Sequence, residues 1–305
     1  MISVLIPVYQ RVVVDLVGNL LSQLRTCDIP FEIVLVDDGS EMSIREANRV
    51  LQQLPQVRYV ELEKNVGRSA IRNILANEAV YDQLLFLDCD VALPDDLFIE
   101  RYINVASKKH VTVGGIKYRD EVPFDKSMYL RWKYGHKREA ISLKMRREKP
   151  YASFMTANFC ISRTLFLKIK FSNSIIGYGH EDTLFGFELA KLRIPILHID
   201  NPVFHDGLES ALDFLAKSDE AVRNLFRLYR SNSPRVNINN VALLEAFVLI
   251  QRFHARLFVV AFYKIALRVL RKNLVGGHPS IFIFSLYKIG YFCQLYGHEL
   301  KYTNN

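Results

Sequence analysis

The sequence predicts an α/β fold with a mostly parallel central sheet flanked by helices, followed by a helical extension. Three observations predict it. Short, mainly apolar runs recur at ISVLIPV (2–8), EIVLV (32–36), VRYVEL (57–62) and LLFL (84–87). Strands covered on both faces have that character. Segments with apolar residues three and four apart lie between the runs, and strand–helix–strand alternation gives a parallel sheet with right-handed crossovers. Candidate ligand-facing groups gather at the ends of three of the runs: Pro7-Val8-Tyr9 after ISVLI, Asp37-Asp38-Gly39-Ser40 after EIVLV and Asp88-Cys89-Asp90 after LLFL. In such sheets ligands bind beyond the carboxyl ends of the strands.

Taken in order, MISVLIPVYQ has neither a basic leader nor a cleavable apolar stretch, so it reads as a first strand and not as a signal peptide. Val13, Leu16, Val17, Leu20 and Leu24 mark the first helix by their spacing. Further helices are expected at 43–54 and 68–80, between the next runs. VTVGGI (111–116) predicts another strand. The strongly basic stretch 126–149 holds the single tryptophan, Trp132, and reads as a mobile loop plus a helix. TANFCIS (156–162) predicts a strand. A glycine-bearing loop then leads into a helix at about 181–192. IPILHI (194–199) predicts the last strand, and HDGLE (205–209) closes the core.

Beyond 210 the periodicity becomes helical. Val222, Leu225, Phe226 and Tyr229 form one apolar stripe. On a helix near 241–270, Ala255, Phe258, Val259, Phe262, Ile265, Ala266 and Val269 form another, within an arc of roughly 120°. Arg252, Arg256, Lys264, Arg268 and Lys272 occupy the other half, with Leu257 and Val260 among them.

The bulk numbers narrow the classes. A chain of 305 residues, half apolar and 24% charged, is long enough for a proper core and ordinary in composition. Cys27, Cys89, Cys160 and Cys293 are scattered without a CxxC pair, which argues against a zinc cluster or a disulfide framework and for a reducing compartment. No window of 18 residues is apolar and uncharged, so no membrane-spanning helix is expected. The net charge of +8 is uneven: residues 1–210 balance, and residues 211–305 carry the whole excess. Such asymmetry points to an anionic partner for the second part, a membrane surface or a polyanion.

Asp88 and Asp90, one residue apart at a strand end, would repel each other if they shared a crevice. A divalent cation removes that repulsion, and Mg²⁺ in particular takes one or two carboxylates plus substrate phosphates. The pair reads as a metal–diphosphate site, or as a plain solvated turn before Pro94. Asp37-Asp38-Gly39-Ser40 reads as a turn and helix cap, and Arg68 and Arg72, one helical turn apart, as a solvated helix face. Glu181 and Asp182 begin a helix, where the ionised form is favoured, next to Gly177 and Gly179. They are general-base candidates or ordinary N-terminal charge. His205 follows the last strand; its imidazole would suit Mn²⁺ better than Mg²⁺, or serve structure alone.

The ordered set SVLIPVYQR (3–11), VLVDDGS (34–40), NVGRSAIRN (65–73), FLDCDVALP (86–94) and GYGHEDTLFGFEL (177–189) resembles the family 2 glycosyltransferases of GT-A fold, over about residues 1–210. The GYGHED loop and His205 are similar to the C-terminal half of galactosyl- and N-acetylgalactosaminyl-transferases and of bacterial chondroitin-type polymerases. The resemblance implies a Rossmann-like GT-A catalytic domain over 1–210, with a nucleotide-binding half (1–90) and an acceptor half (91–210). A basic amphipathic extension would fill 211–305.

It further implies that Pro7, Val8 and Tyr9 flank the nucleobase and that Asp38, in preference to Asp37, accepts the uracil imide N–H. Arg68 and Arg72 would face the diphosphate. Asp88 would touch the ribose, and Asp90 with His205 and Asp88 would hold Mn²⁺ or Mg²⁺. Asp182 would be the base and Glu181 would bind the acceptor hydroxyl. Tyr178 could stack on the acceptor sugar, Trp132 could do the same from the basic loop, and Asn158 could reach the donor sugar. His180 and His198 are left as structural.

The expected reaction moves a sugar from a nucleotide-diphosphate donor, a UDP-sugar of Gal, GalNAc, Glc or GlcNAc type, to a hydroxyl of a glycan or lipid-linked glycan, with inversion. A peripheral position on the inner face of a bacterial cytoplasmic membrane, through 241–272, would suit it, with no nucleic acid as partner. A helix that caps the core, or a helical dimer interface, would also fit the tail. Rival readings are a nucleic-acid-binding or scaffold protein using the basic tail, a relic that binds UDP-sugar without turnover, and a nucleotidyltransferase. The last would carry a glycine-rich phosphate loop where PVYQR stands.

Overall fold

The computed structural model describes residues 1–175, 177–231 and 241–303, with side chains through Gly297. The expectation that residues 211–305 form one extension therefore includes 232–240, 304 and 305, which lie outside the described residues. The chain divides into two compact units. The first comprises Met1–Arg119, Glu139–Ser174 and Glu181–Gly207. The second comprises Asp120–Arg138, Ile175–His180 and Leu208–Asn305. The division at 210 expected from sequence thus differs from the observed one: two stretches inside 1–210 pack with the tail.

The first unit is an α/β structure. Its strands are β1 (Ile2–Val8), β2 (Phe31–Asp37), β3 (Val57–Glu61), β4 (Gln83–Leu87), β5 (Val91–Ala92), β6 (Val111–Val113), β7 (Ile116–Lys117), β8 (Asn158–Ser162), β9 (Ile196–His198) and β10 (Val203–His205). Seven of them form a sheet in the order β3-β2-β1-β4-β8-β6-β9, and β5-β10-β7 form a small second sheet. The first four strands run parallel, β8 runs antiparallel to β4 and β6, and β6 is parallel to β9. Helices α1 (Val14–Thr26), α2 (Met42–Arg49), α3 (Arg68–Glu78) and α4 (Phe98–Val105) belong to this unit.

The runs of β1, β2 and β4 are buried on both faces, as strands between helix layers require, while β3 at the sheet edge alternates, with Arg58 and Val60 exposed. Val4 and Leu85 contribute to one apolar cluster with α1 and α4, and Leu5 and Phe86 to another with α3. Register levels the strand ends: Val8 pairs with Asp37, and the Asp38 amide donates to the Val8 carbonyl at 2.7 Å.

Four elements differ from the sequence reading. IPILHI is not the last strand, since β10 follows it and includes His205. VTVGGI is two strands, because the chain turns at Gly114-Gly115; Gly115 has φ +92°, and a Cβ on Gly114 would meet Asn158, Asn201 and Tyr102. The basic stretch is largely helical and is divided between the units, with α5 (Tyr129–Tyr134) in the second and α6 (Leu143–Glu148) in the first. Arg146, buried in α6, donates to the Val113, Gly114 and Ile199 carbonyls, which fixes it against the sheet. Helices α7 (Arg163–Ile169) and α8 (Glu181–Lys191) complete the first unit.

The second unit holds α9 (Ala211–Arg230), α10 (Ala242–Arg252), α11 (Arg256–Leu274) and α12 (Ile281–Thr303). The single helix expected near 241–270 is two. The chain breaks at Phe253–Ala255, where His254 takes φ +54°. One core joins Leu130, Phe214, Tyr263, Leu270, Leu274 and Phe284. Another joins Val222, Leu225, Leu244, Phe247 and Phe292.

Candidate functional site

The carboxyl edge of the parallel strands and the start of α8 carry the charged residues singled out in the sequence, all within the first unit. Arg68 and Arg72 stand one turn apart on α3 and reach the same two acids. Arg72 Nη2 lies 2.6 Å from Asp88 Oδ1, and Arg68 Nη2 lies 3.9 Å from Asp88 Oδ2. On α8, Glu181 Oε1 is 2.5 Å from Arg68 Nε and 4.0 Å from Arg72 Nη1. Residues 68, 72, 88 and 181, distant in sequence, form one interlocked charge cluster.

Burial decides the character of its members. Arg72 is 2% exposed, donates also to the Arg68 carbonyl and Thr156, and lies over the Phe171 ring. It is thus held by the protein and does not project from the surface. The Arg68 side chain is 39% exposed and is the arginine of the pair that solvent can reach. Burial alone would raise the Asp88 carboxyl, but Arg72 and Arg68 bring it below the ordinary value. Glu181 follows the same pattern, with Arg68 first among the opposing charges. Both stay ionised at neutral pH.

Asp182 behaves in the opposite way. Burial, reinforced by the neighbouring Glu181 charge, pushes its carboxyl up to about 6. Its Oδ1 accepts from the Thr183 amide at 2.6 Å. Two adjacent acids thus diverge: one is neutralised by arginines and the other is poised near neutrality. A carboxylate of raised basicity with part of its surface open to solvent can take a proton from a hydroxyl.

Asp90 and His205 face each other, with Asp90 Oδ2 3.4 Å from His205 Nε2. That separation is close to the roughly 3 Å between neighbouring ligands on an octahedral ion with bonds of about 2.1 Å. Asp90 directly precedes β5 and His205 ends the antiparallel β10: His205 pairs with Val91, and the Asp206 amide donates to the Asp90 carbonyl. Gly207 permits this approach, since a Cβ there would come within 2.3 Å of Asp90 Oδ2. Tyr118 stacks on the His205 ring at 5.3 Å. Arg11 donates to the Asp206 carbonyl, and Arg119 forms a fork with the Asp206 carboxylate. Asp90 and His205 therefore fit a hard or borderline divalent ion as two ligands, with the remainder left to donor phosphates or water.

Asp88 does not join them. It was expected as a third ligand, but its carboxylate is turned to Arg72 and Arg68. Among the described residues no group of three or more His, Cys, Asp or Glu is arranged to hold a metal. Cys89, between the two acids, is pushed up to about 12 by burial and by Asp90, so it stays a neutral thiol.

The nucleobase residues also separate. Val8 is fully buried in the core, so its side chain cannot flank a ring; Tyr9 is 51% exposed, and Pro7 lies between these extremes. Asp38 accepts from the Val66 amide at 2.7 Å and the Gly67 amide at 3.1 Å, which ties the loop before α3 to the end of β2. Burial raises its carboxyl against those two bonds. Asp37 is wholly internal, with bonds to the Ser40 amide and Tyr59 hydroxyl. Asn158 bonds to Tyr102, Gly115 and Asn201 inside the sheet, a structural role. His198 is likewise buried, between Arg146 and the Pro150 carbonyl. Tyr178, His180 and Trp132 belong to the second unit. There the Asn224 amide donates to the Tyr178 carbonyl, and Trp132 packs edge-on against His136.

Sequence reading missed Arg11, Tyr118, Arg119 and Asp206. Arg11 and Asp206 lie inside motifs whose signal is carried by their neighbours, and Tyr118 and Arg119 directly follow β7, where local pattern carries no signal.

Comparison with known proteins gives the family and the fold. Residues 3–168 match the family model described as glycosyl transferase family 2. A chondroitin synthase from Escherichia coli is 26% identical over 225 residues, 62% of this chain and 32% of that protein. A second chondroitin synthase, from Pasteurella multocida, is 25% identical over 222 residues, 62% of this chain and 23% of that protein. The chain thus spans a third or less of these curated relatives. A mannosyltransferase from Pyrobaculum calidifontis, solved with GDP-Man and Mn²⁺, superposes with TM-score 0.54 at 13% identity, covering 100% of this chain and 88% of that one. This likeness shows the fold.

Proposed function

This chain belongs to glycosyl transferase family 2 and has its GT-A fold, and from that premise we propose that it moves a sugar, with inversion, from a nucleotide-diphosphate donor to a hydroxyl. The donor is a UDP-sugar of Gal, GalNAc, Glc or GlcNAc type, and the acceptor a glycan or lipid-linked glycan. The observation that carries this reading is the divergence of Glu181 and Asp182 beside Arg68, Arg72 and Asp88, one unit holding both an ionised cluster and a raised base.

In this reading Asp182 takes the acceptor proton at its carboxylate, while Glu181 holds Arg68 and orients the start of α8. Its burial against Arg68 makes positioning its first role, ahead of direct contact with the acceptor. Arg68 offers its exposed guanidinium edge to the departing diphosphate. Arg72 fixes the Asp88 carboxylate, leaving Asp88 to meet the ribose. Asp38 holds the 65–67 loop and keeps lone pairs for a ring N–H, with Pro7 and Tyr9 beside the base. Asp90 and His205 would hold Mn²⁺ or Mg²⁺, which when bound would neutralise charge on the diphosphate. One base acting opposite the leaving group gives inversion.

The comparisons support a divalent ion only by analogy, since Mn²⁺ is present in the mannosyltransferase structure. The cationic second unit fits peripheral contact with a membrane; no helix among the described residues is long and apolar enough to cross one. The test is calorimetry with UDP, with and without Mn²⁺, on the parent chain and Asp90→Ala. The parent should bind UDP more tightly with Mn²⁺, and Asp90→Ala should lose most of that gain. An unchanged metal response in the variant would remove Asp90 from the site.

A further inference from the structure

The second unit leaves an apolar ridge in solvent. On α11, Phe258 is 79% exposed, Phe262 54%, Ile265 84% and Val269 70%. Their spacing of four, three and four residues places them on one side of the helix, a ridge about 16 Å long at 1.5 Å per residue. The opposite side carries Tyr263, Leu270 and Leu274 into the core. Of the apolar stripe expected from sequence, these four residues therefore stand outside the core, while Val259 and Ala266 pack against it. Phe253, 74% exposed in the break before α11, lies near the start of the ridge in sequence, and Leu257, 68% exposed, lies in the first turn.

Charge adjoins the ridge. Lys264, Arg268 and Lys272 are exposed and follow one another along the helix, displaced by about 40–120° from Phe258 at 100° per residue. No Asp or Glu occurs between Glu245 and Glu299, a stretch with seven Lys and Arg. An exposed apolar row bordered by cations without a local carboxylate complements an anionic bilayer, whose acyl boundary takes the ring side chains and whose phosphates meet the cations. A second copy of the chain fits less well. A two-fold contact along this ridge would bring the cations toward their own counterparts with no acid in the helix between them.

We propose that the outward face of α11, led by Phe258, Phe262, Ile265 and Val269 and flanked by Lys264, Arg268 and Lys272, is a docking surface for anionic lipid headgroups. The proposal rests on the reading of the chain as a transferase working at a membrane, and it names the surface and the lipid chemistry. The contact is peripheral and reversible, governed by apolar insertion plus charge, so salt weakens it.

Truncation is the wrong test, because removing residues 241–305 would strip Leu244, Phe247 and Phe292 from a core shared with α9. Surface substitutions serve better. The full chain is floated with vesicles of phosphatidylcholine alone and with vesicles containing about 25% phosphatidylglycerol. The probes are Phe258→Ser/Phe262→Ser/Ile265→Ser and Lys264→Glu/Arg268→Glu/Lys272→Glu, with circular dichroism as the folding control. The expected result is flotation with the anionic vesicles only, lost in the serine variant. The glutamate variant should bind at least about 100-fold more weakly, from roughly fivefold per cation lost.

No flotation of the parent, or flotation that neither variant changes, overturns the proposal. A dimer in sedimentation that the serine substitutions dissolve, without vesicle binding, gives the face to a second copy and also overturns it. Calorimetry of UDP binding on the same samples keeps the outcomes apart, since the ridge can fail while donor binding stands.

Discussion

Asp182 is the residue whose environment makes the sharpest demand. Its folded-state acidity lies near 6, above the ordinary 3.8, so the folded chain holds that proton more tightly than the unfolded chain. Stability from this group is therefore full below about pH 4 and declines as pH rises toward 6. Activity runs the other way, because the base works only when ionised. The profile of kcat/KM should climb with pH through an apparent pKa near 6; a flat profile from pH 5 to 8 would assign the proton transfer elsewhere. Asp182→Asn keeps an oxygen for the Thr183 amide but cannot ionise. It should lose transfer by about 100-fold or more and retain UDP binding. Above pH 7 it should melt higher than the parent, by about 2–4 °C for each ~1 kcal/mol recovered. The acid pair at 181–182 was legible in the sequence as helix-start charge. What was not legible is that Arg68 and Arg72 would claim Glu181 alone, because that sorting depends on which carboxylate α8 turns toward α3.

At the scale of elements, α3 organises the candidate site. It follows Gly67, whose φ of +89° suits glycine and whose amide donates to Asp38, and it carries both arginines on one side. The sequence showed this helix and its pair of arginines, yet read them as open to a ligand; depth along a helix wheel is invisible until the neighbours are in place. Arg72→Met would leave Asp88 and Glu181 with one cation fewer in a buried setting. Removing one partner from such a cluster costs about 3–5 kcal/mol, and urea denaturation at pH 7 should show a loss of that order. Both acids have folded-state acidities below their ordinary 3.8 and 4.5, so their stabilisation is present above those values and fades as pH falls through the lower folded ones. The gap between parent and variant should therefore narrow below about pH 4; a gap independent of pH would show that lost packing, not charge, is responsible. Helix α11 teaches the same lesson in reverse. Its apolar periodicity was plain, but periodicity does not say whether a stripe faces a core or solvent, and here Tyr263, Leu270 and Leu274 form the inward face.

For the whole molecule, the division into two units separates chemistry from charge. Every residue assigned to donor, ion and base, from Pro7 to His205, lies in the first unit, and the helices that carry the positive excess lie in the second. The parallel strands were legible because continuous apolar runs can be satisfied only between two covering layers. The small sheet of β5, β7 and β10 was not, because strands of two or three residues leave no periodic trace, although it joins Asp90 to His205. A donor that binds as proposed must stabilise the first unit selectively. Saturating UDP at about 100 times its Kd adds roughly 2.7 kcal/mol to the state that binds it. Hydrogen exchange with UDP and Mn²⁺ should then slow in 34–40, 65–73, 86–92 and 203–207, where Asp38, Arg68, Asp90 and His205 stand. Amides of α10 and α11 should exchange as before, since none of the donor residues is theirs. Protection confined to α10 and α11 would mean that the nucleotide is held by the cationic helices as a mere anion, and the carboxylates of the first unit would lose the purpose assigned to them.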